Sequence, residues 1–294
     1  MRSEKAKLVG VVQVIEGLPW GVQLKEDLEA GVAEGRGDVR LEFADTRMSA
    51  DAQARALAAF LKKKVDALVL APIDVESVKP LLRKFRTENI PVLVVGEDLG
   101  EPDLYRSVAI PDNRQIGRKT GEFFVEASGG RAEIVEITGI AQASSVTLRS
   151  QGFRDAIAGH PGIRVVDAIA GDWSYAPARD AFARWLGKHP RPDGVFAHND
   201  EMARGVLDAA REAGCEDELL VTGVDALKGQ GLSMVMRGRL GATLMNPPPG
   251  RPTATNLLSI VAGEPCLERT VLQTSIFRSH EKIREWQEAR AKRT

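Results

Sequence analysis

The sequence predicts an α/β fold of two similar lobes, each a parallel sheet wrapped by helices. Short apolar runs alternate with amphipathic helical patterns, which is the order of βαβ units. The alternation restarts after residues 108–113, as expected where a second lobe begins. Polar or aromatic residues also follow most of the apolar runs, at the strand ends where open α/β sheets hold small ligands.

Composition narrows the class of protein. The chain has 294 residues, enough for two domains of ordinary size, with 43% hydrophobic and 28% charged residues. A net charge of −1 gives no electrostatic reason to expect nucleic acid or an acidic membrane as a partner. No apolar run approaches the length that crosses a bilayer, and the two cysteines have no metal-ligand spacing.

The first lobe is predicted from four strand-length apolar runs and the helical patterns between them. The predicted strands are residues 7–14, 39–43, 67–71 and 91–95, and the predicted helices are 22–34, 49–64 and 75–86. Ser49 is the predicted N-cap of the second helix, because a hydroxyl there can accept from the first turn.

The second lobe repeats this order after a helix at 115–127. The predicted strands are 134–137, 165–170, 195–197, 219–224 and 241–245, and the helices include 145–158, 178–186 and 229–236. Three prolines at 247–249 interrupt the pattern before a helix at 253–262, a strand at 269–277 and a charged helix at 280–293. These last elements should complete the two lobes, which gives residues 1–110 plus 249–274 and residues 111–248 plus 275–294. A chain that crosses repeatedly between lobes forms a hinge, and the cleft between the lobes is the expected ligand site.

One stretch, residues 192–205, defines the expected site best. The apolar run 195–197 ends in His198, Asn199 and Asp200, and a helical pattern follows. Asp200 is the predicted N-cap, and Glu201 suits the positive end of the helix. Asn199 therefore lies where a strand ends and a helix begins.

The candidate site residues share two properties: each can bind a hydroxyl group or cover a sugar ring, and most follow a predicted strand. They are Glu16, Trp20, Asp45, Asp74, Glu97, Asp98, Trp173, Asn199, Asp225 and Asn246, with Arg149 inside a helix. Carboxylates, amides and a guanidinium exchange hydrogen bonds with hydroxyls, and indole faces cover apolar C–H groups. The set favours a neutral, hydroxyl-rich, ring-sized ligand, for which a sugar fits best.

Several of these residues have an alternative, purely structural interpretation. Asp45 and Asp74 could only initiate helices, and Trp20 could serve in packing. Trp185 and Trp286 lie in helical patterns and are expected to pack. His198 has no partner at metal-ligand spacing.

The sequence lacks the common enzyme motifs. It has no phosphate-binding GxxxxGK[ST] loop, no GxGxxG after the first strand and no GxSxG nucleophile turn. We therefore expect a protein that is not an enzyme and has no cofactor and no metal.

Five motifs, in this order and spacing, resemble one family. They are Asp112-Asn113 with Gly117, RSQGF at 149–153, GDW at 171–173, FAHNDEMARG at 196–205 and VTGVD at 221–225. Over residues 7–281 the chain resembles the type I periplasmic sugar-binding proteins of the ribose, galactose and allose transport group. This resemblance implies two Rossmann-like lobes with parallel sheets, joined by a three-stranded hinge, that close on a sugar.

The resemblance also implies roles for individual residues. Arg149, Asn199 and Asp225 match contacts to ring hydroxyls, Trp173 and Trp20 match stacking aromatics, and Asn246 matches an amide just before a hinge. The predicted ligand-binding set is completed by Glu97, with Glu16, Asp74 and Asp98 as further candidates. The first lobe departs from the family pattern at Leu18, Gly21 and Gly96, where the family usually has a polar residue, an aromatic and an aspartate.

These inferences predict a monomeric solute-binding protein that captures a sugar or sugar-like polyol in the interlobe cleft and delivers it to an ABC transporter permease. The resemblance implies a periplasmic or extracytoplasmic location, with the signal peptide absent from this chain. The same lobes could instead serve as the ligand-sensing domain of a membrane signalling receptor. A lactose-repressor-like regulator would need a DNA-binding headpiece, and six residues precede Lys7. An enzyme on a similar scaffold is the remaining alternative.

Overall fold

The apolar runs of the chain assemble into two six-stranded sheets, one in each of two compact units. The computed structural model describes residues 6–16, 18–35 and 38–292. The first unit comprises Met1–Pro111, Gln142–Ser144 and Pro247–Gln273, and the second comprises Asp112–Ala141, Ser145–Asn246 and Thr274–Thr294. The predicted α/β class with two parallel-sheet lobes is confirmed.

The first unit is a parallel sheet with helices on both faces. Its elements, numbered along the whole chain, are β1 Lys7–Gln13, α1 Pro19–Glu34, β2 Val39–Asp45, α2 Ala50–Lys63, β3 Ala67–Leu70, α3 Val75–Thr87, β4 Val92–Val95, β5 Ser107–Pro111, α9 Gly250–Ala262 and β11 Arg269–Leu272. The strand order is β11-β5-β4-β3-β1-β2, and each neighbouring pair is parallel. Successive side chains of β1 enter different apolar clusters, since Val12 packs with Leu82 whereas Val11 packs with Leu28.

The second unit repeats this architecture. Its elements are α4 Asn113–Ser128, β6 Arg131–Thr138, α5 Ser144–Ile157, β7 Gly162–Ala170, α6 Tyr175–Leu186, β8 Gly194–Ala197, α7 Asp200–Glu212, β9 Leu220–Asp225, α8 Gly231–Met236, β10 Ala242–Met245, β12 Ile276–Arg278 and α10 His280–Ala291. The strand order is β12-β10-β9-β8-β6-β7, in which β12 runs antiparallel to β10 and the other pairs are parallel. The carboxyl ends of the parallel strands therefore meet at one edge, which we call the second-unit edge.

The local signals identified most elements correctly. Ser49 caps α2 as predicted, since its hydroxyl accepts from the Ala52 N–H at 3.2 Å. Helix α1 begins at Pro19, earlier than predicted, because proline suits the first turn of a helix. Trp20 consequently lies in this first turn. Residue 17 of the preceding loop and residue 293 of the predicted final helix lie outside the described residues.

The last predicted strand is wrong in one respect. Residues 269–277 form two strands in different sheets, β11 beside β5 and β12 beside β10. The chain is bound to β10 just before β12: the Thr274 hydroxyl donates to the Met245 carbonyl at 2.7 Å, and the Met245 N–H donates to the Ser275 carbonyl at 2.7 Å. The apolar pattern of a strand does not indicate which sheet the strand joins, so the sequence could not show this division. The sequence analysis also missed β5, whose short run ends in Pro111.

Trp185 and Trp286 pack in the second unit, as expected. The Trp185 indole donates to Asp167 Oδ2 at 2.8 Å, and the Trp286 indole donates to the Asp193 carbonyl at 2.9 Å. Both side chains are buried. In the part of the chain that the structure describes, no helix is long and apolar enough to span a membrane.

Candidate functional site

The second-unit edge gathers five of the predicted ligand residues. Trp173, Asn199 and Asn246 follow β7, β8 and β10, Asp225 is the last residue of β9, and Arg149 lies in α5. The polar residues of this set, Arg149, Asn199, Asp225 and Asn246, are only 2–7% exposed. Buried polar groups require partners, and the partners of these residues are mostly each other or nearby backbone.

Arg149 is held from several directions. Its Nε donates to Asn113 Oδ1 at 2.9 Å, and its Nη1 donates to the backbone carbonyl of His198. Its Cζ lies 5.4 Å from the centroid of the Trp173 ring, within cation–π range. Helices α4 and α5 approach closely at this point, because a side chain at Gly117 would overlap the Arg149 carbonyl. The guanidinium is therefore fixed before any ligand arrives.

Trp173 has a strained backbone. It and Asp172 are consecutive non-glycine residues with left-handed φ angles of +60° and +50°. Such conformations cost about 1–3 kcal/mol each and persist only where the surroundings enforce them. The Asn199 carboxamide donates to the Trp173 carbonyl at 2.9 Å, and the indole covers Gly139, where any side chain would overlap the ring. The indole is thus held in a set orientation beside Arg149.

Asn199, and not Asp200, is the N-cap of α7, so the predicted cap was wrong. Asn199 Oδ1 accepts from the Met202 N–H at 2.8 Å, while its backbone is extended. The cap therefore falls one residue earlier than predicted. The Asn199 carboxamide keeps one further donor and one further acceptor position, since each of its two polar atoms can form two hydrogen bonds.

Asp200 is instead buried beneath the edge. It is 1% exposed, and its carboxylate accepts from the Ala226 N–H at 2.9 Å and the Thr243 hydroxyl at 2.7 Å. Side chains at Gly223 or Gly231 would overlap it. Asp200 therefore fixes the start of the loop after β9, next to Asp225.

Asp225 is a buried carboxylate in an unusual backbone conformation. Its φ is +120°, and its Oδ1 accepts from the Asn246 amide at 2.8 Å. Burial raises the pKa of Asp225 to about 7, against the lowering effects of Arg149 and of the Asn246 hydrogen bond. Burial and the neighbouring Asp225 likewise raise the pKa of Asp200. The pair carries less than its full negative charge near neutral pH.

Beneath the edge lie Glu136, which was not predicted from the sequence, and His198, for which the sequence offered no partner. Glu136 on β6 is 1% exposed and His198 is fully buried, and Glu136 Oε1 lies 2.9 Å from His198 Nε2. Although burial alone would raise it, hydrogen bonds from His198 and Ser150 and the charge of Arg154 lower the pKa of Glu136 to about 2. Burial lowers the pKa of His198. The available signal was an acidic residue inside the apolar run of β6.

The first unit places its predicted residues differently. The Trp20 ring lies over Gly96, where a Cβ would be 3.1 Å from the indole and where φ is +82°. Glu97, the next residue, accepts from the hydroxyl of Ser144, which belongs to the same unit. Asp98 accepts from the Gly100 N–H at 2.9 Å and from Arg269 at 2.6 Å. Despite partial burial, these contacts lower the pKa of Asp98.

The remaining acidic candidates of the first unit bind groups of their own or the adjacent loop. Asp74 caps α3 by accepting from the N–H groups of Glu76 and Ser77, so its helix-initiating interpretation is confirmed. Asp45 accepts from three backbone N–H groups, those of Ile15, Glu16 and Arg47. Glu16 itself pairs with Arg47 at 2.9 Å and is 69% exposed. The assignment of all these residues to ligand binding stays a prediction.

The described residues contain no group of three or more His, Cys, Asp or Glu side chains arranged to hold a metal ion. Within the same residues, the two cysteines form no disulfide: Cys215 is buried and Cys266 is half-buried.

Comparisons with known proteins agree with this architecture. Residues 9–265 match the model of the family described as "Periplasmic binding protein domain". The chain is 30% identical over 203 residues, 67% of its length, to the galactofuranose-binding protein YtfQ of Escherichia coli K12, and 27% identical over 231 residues, 75% of its length, to a xylitol-binding protein of Mycolicibacterium smegmatis. These matches span 62% and 65% of the two relatives, so the chain covers less than two thirds of their length.

A solved structure matches more completely. The fructose-binding periplasmic domain of the hybrid two-component system BT1754 superposes with a TM-score of 0.88 at 28% identity, over 98% of this chain and 95% of that domain. The family model covers well over half of the sequence, and the resemblance predicted from five motifs is confirmed. The chain belongs to the periplasmic binding protein family.

Proposed function

We propose that this protein is a solute-binding protein that captures a neutral sugar or sugar-like polyol and delivers it to an ABC importer. One observation carries the proposal: Arg149, Asn199, Asp225 and Asn246 are buried together beside Trp173 at the second-unit edge. A member of this family with such an edge has the groups that a polyhydroxylated ligand requires.

The chemistry of this edge favours an uncharged ligand. The amide of Asn199 donates and accepts, the carboxylate of Asp225 accepts, and the guanidinium of Arg149 donates. Arg149 is the one basic side chain among the predicted ligand residues and interacts with the Asp225 carboxyl, so these residues lack the cluster of positive charge that favours a phosphate. An indole face beside these groups suits the apolar C–H side of a sugar or polyol.

The relatives support the same chemical class. Their names specify galactofuranose, xylitol and fructose, which are a furanose sugar, an open-chain polyol and a ketose. These ligands share adjacent hydroxyl groups and lack an ionic group. For the present chain we propose this shared chemistry and no single compound.

The contribution of the first unit belongs to the same proposal. Trp20 and Glu97 are proposed contacts, with Glu16, Asp74 and Asp98 as further candidates. On the family resemblance, we propose that the two lobes close on the ligand. The lobes are residues 1–110 plus 249–274 and residues 111–248 plus 275–294. We also propose that the protein is a monomer, is not an enzyme and is located outside the cytoplasm.

A thermal-shift panel tests the proposed function. Pentoses, hexoses, pentitols, inositols and sugar phosphates are each added to the protein, and Tm is measured. A ligand at about 1,000 times its Kd stabilises the folded state by about 4 kcal/mol, so a neutral sugar or polyol should raise Tm by several degrees. Shifts with sugar phosphates alone would contradict the proposal and favour a cytoplasmic regulator.

A second candidate function has one observation in its favour. The close structural match to a domain of a two-component system supports a ligand-sensing domain that reports to a membrane receptor. Both functions use the same ligand site and differ in the partner that recognises the loaded protein. Genes for a permease and an ATPase beside this one would favour the importer, whereas a fused kinase would favour the receptor.

A further inference from the structure

Glu136 is a buried anion that no ligand contact requires. It lies on β6 directly opposite Phe196 of β8, between Val135 and Ile137, which are both fully buried. A buried carboxylate is costly unless it is paired, and apolar residues of similar size often stabilise such positions better. Its presence therefore calls for a role other than stability.

Glu136 binds the helix that carries Arg149. Its Oε1 accepts from the Ser150 hydroxyl, and its Oε2 lies 2.9 Å from Arg154 Nη1. Ser150 follows Arg149 directly, and Arg154 lies one turn further along α5. Glu136 thus contacts α5 at two points: Oε1 accepts a hydrogen bond from Ser150, and Oε2 forms an ion pair with Arg154 but has no hydrogen-bond partner among the described residues.

Glu136 also binds the residue whose carbonyl Arg149 contacts. His198 Nε2 lies 2.9 Å from Glu136 Oε1, and the His198 backbone carbonyl accepts from Arg149 Nη1. Because a neutral imidazole has one N–H, donation to the carboxylate places the proton on Nε2. His198 Nδ1 is buried and has no hydrogen-bond partner among the described residues, which agrees with this tautomer.

We propose that Glu136 is a positioning residue of the ligand site: its carboxylate fixes both the helix that carries Arg149 and the His198 carbonyl that Arg149 binds. The next residue, Asn199, caps α7 and binds the Trp173 carbonyl. Fixing His198 therefore also helps to fix Asn199 and the Trp173 indole. This inference rests on the proposed function, in which Arg149 contacts the ligand.

The first test needs no ligand. Heteronuclear NMR measures the hydrogen-exchange rate of the Arg149 Nε–H in the wild type, in Glu136→Gln and in the control Glu133→Gln. Glu136→Gln keeps the shape and removes the charge, whereas Glu133 lies on the same strand and pairs with Arg164 at the surface. We expect the Arg149 Nε–H to exchange faster in Glu136→Gln than in the wild type, because its surroundings open more easily, and at an unchanged rate in the control. Equal protection in all three proteins would overturn the proposal.

The second test separates positioning from a general structural role. D-ribose, xylitol and D-fructose are titrated by calorimetry into four proteins: wild type, Glu136→Gln, Arg149→Lys and the double variant. We expect Glu136→Gln to weaken binding about tenfold in the wild type but less than about twofold beside Arg149→Lys, because the first change acts through Arg149. An equal loss in both backgrounds would overturn the proposal.

The two tests distinguish the two possible failures. If the wild type binds none of the three compounds, the proposed function fails for this class, and the exchange measurement still decides whether Glu136 positions Arg149. Circular dichroism first verifies that each variant is folded. Should Glu136→Gln not fold, His198→Phe takes its place with the same expected results, because it removes the contact to Glu136 and keeps a ring.

Discussion

The two sheets end in the same residue types but use them differently. At the carboxyl edge of the first sheet, Asp45 and Asp74 accept from backbone N–H groups of their own or the adjacent loop. At the second-unit edge, Asp225 accepts from the side chain of Asn246, which follows a different strand. Asn199 likewise reaches across to the Trp173 carbonyl from another strand end.

The two edges differ in the hydrogen-bond donors that lie within reach of a carboxylate at a strand end. The short side chain of an aspartate binds the donors nearest to it in the fold, which in the first unit are backbone N–H groups of the following turn and, for Asp45, also of the loop after the neighbouring strand β1. In the second unit, side chains from several strand ends and from α5 meet, so the polar groups bind one another. The position of a polar residue at a strand end therefore indicates a site only where several such residues meet.

The largest expected effect is on pH-dependent stability and concerns Asp225. The pKa of Asp225 is raised to about 7, so the ligand-free protein should lose stability as pH rises from about 4 to about 8. Over this range the folded protein holds a proton on Asp225 that the unfolded chain does not hold, so rising pH favours unfolding. The contribution is of the order of 4 kcal/mol at most. Urea unfolding at several pH values measures it.

The Asp225→Asn variant isolates this contribution. Its unfolding free energy should lack the decline seen in the wild type, so the two pH profiles should diverge between about pH 4 and pH 7 and run parallel at higher pH. Asp45→Asn is the matched control from the first unit, since partners lower the pKa of Asp45. Parallel profiles for Asp225→Asn and the wild type between about pH 4 and pH 7 would contradict the raised pKa of Asp225.

The next largest effect is on affinity and concerns Arg149. Hydrogen bonds to a charged group contribute about 1.5–3 kcal/mol, so Arg149→Ala should weaken binding of a neutral sugar roughly 10- to 150-fold. Arg114→Ala is the control, because Arg114 of the same unit pairs with Asp155 at the surface. A loss of less than about threefold by calorimetry would remove Arg149 from the site.

Asp45→Ala should separate stability from binding in the first unit. Three backbone N–H groups lose their acceptor, which should cost about 1–2 kcal/mol in the free energy of unfolding. Affinity for the same sugar should change less than about twofold, since both carboxylate oxygens of Asp45 already accept from backbone N–H groups. A large loss of affinity with unchanged stability would instead make Asp45 a ligand contact.

The smallest expected effect concerns Trp20. If its indole covers part of the ligand, Trp20→Phe should weaken binding about two- to fivefold, the scale of a partly lost aromatic contact. Trp185→Phe, which loses a buried hydrogen bond to Asp167, should reduce stability and leave affinity unchanged. Unchanged affinity in Trp20→Phe would give Trp20 a packing role only.

Local sequence signals were sufficient for the fold but not for the contacts beneath the site. The βαβ order and the cap at Ser49 follow from short-range periodicity and composition. The contact between Glu136 and His198 joins residues 62 positions apart, and no local pattern encodes such a pairing. The burial of Asp200 likewise depends on space left by Gly223 and Gly231, which adjoin it only in the folded chain.

The indole N–H signals of the four tryptophans test the central claim most directly. During titration with the neutral sugar or polyol that most raises Tm, the Trp173 signal should shift, while Trp185 and Trp286, buried and bound to Asp167 and Asp193, should not move. Shifts confined to Trp185 and Trp286, with Trp173 unchanged at saturation, would contradict a ligand site at the second-unit edge.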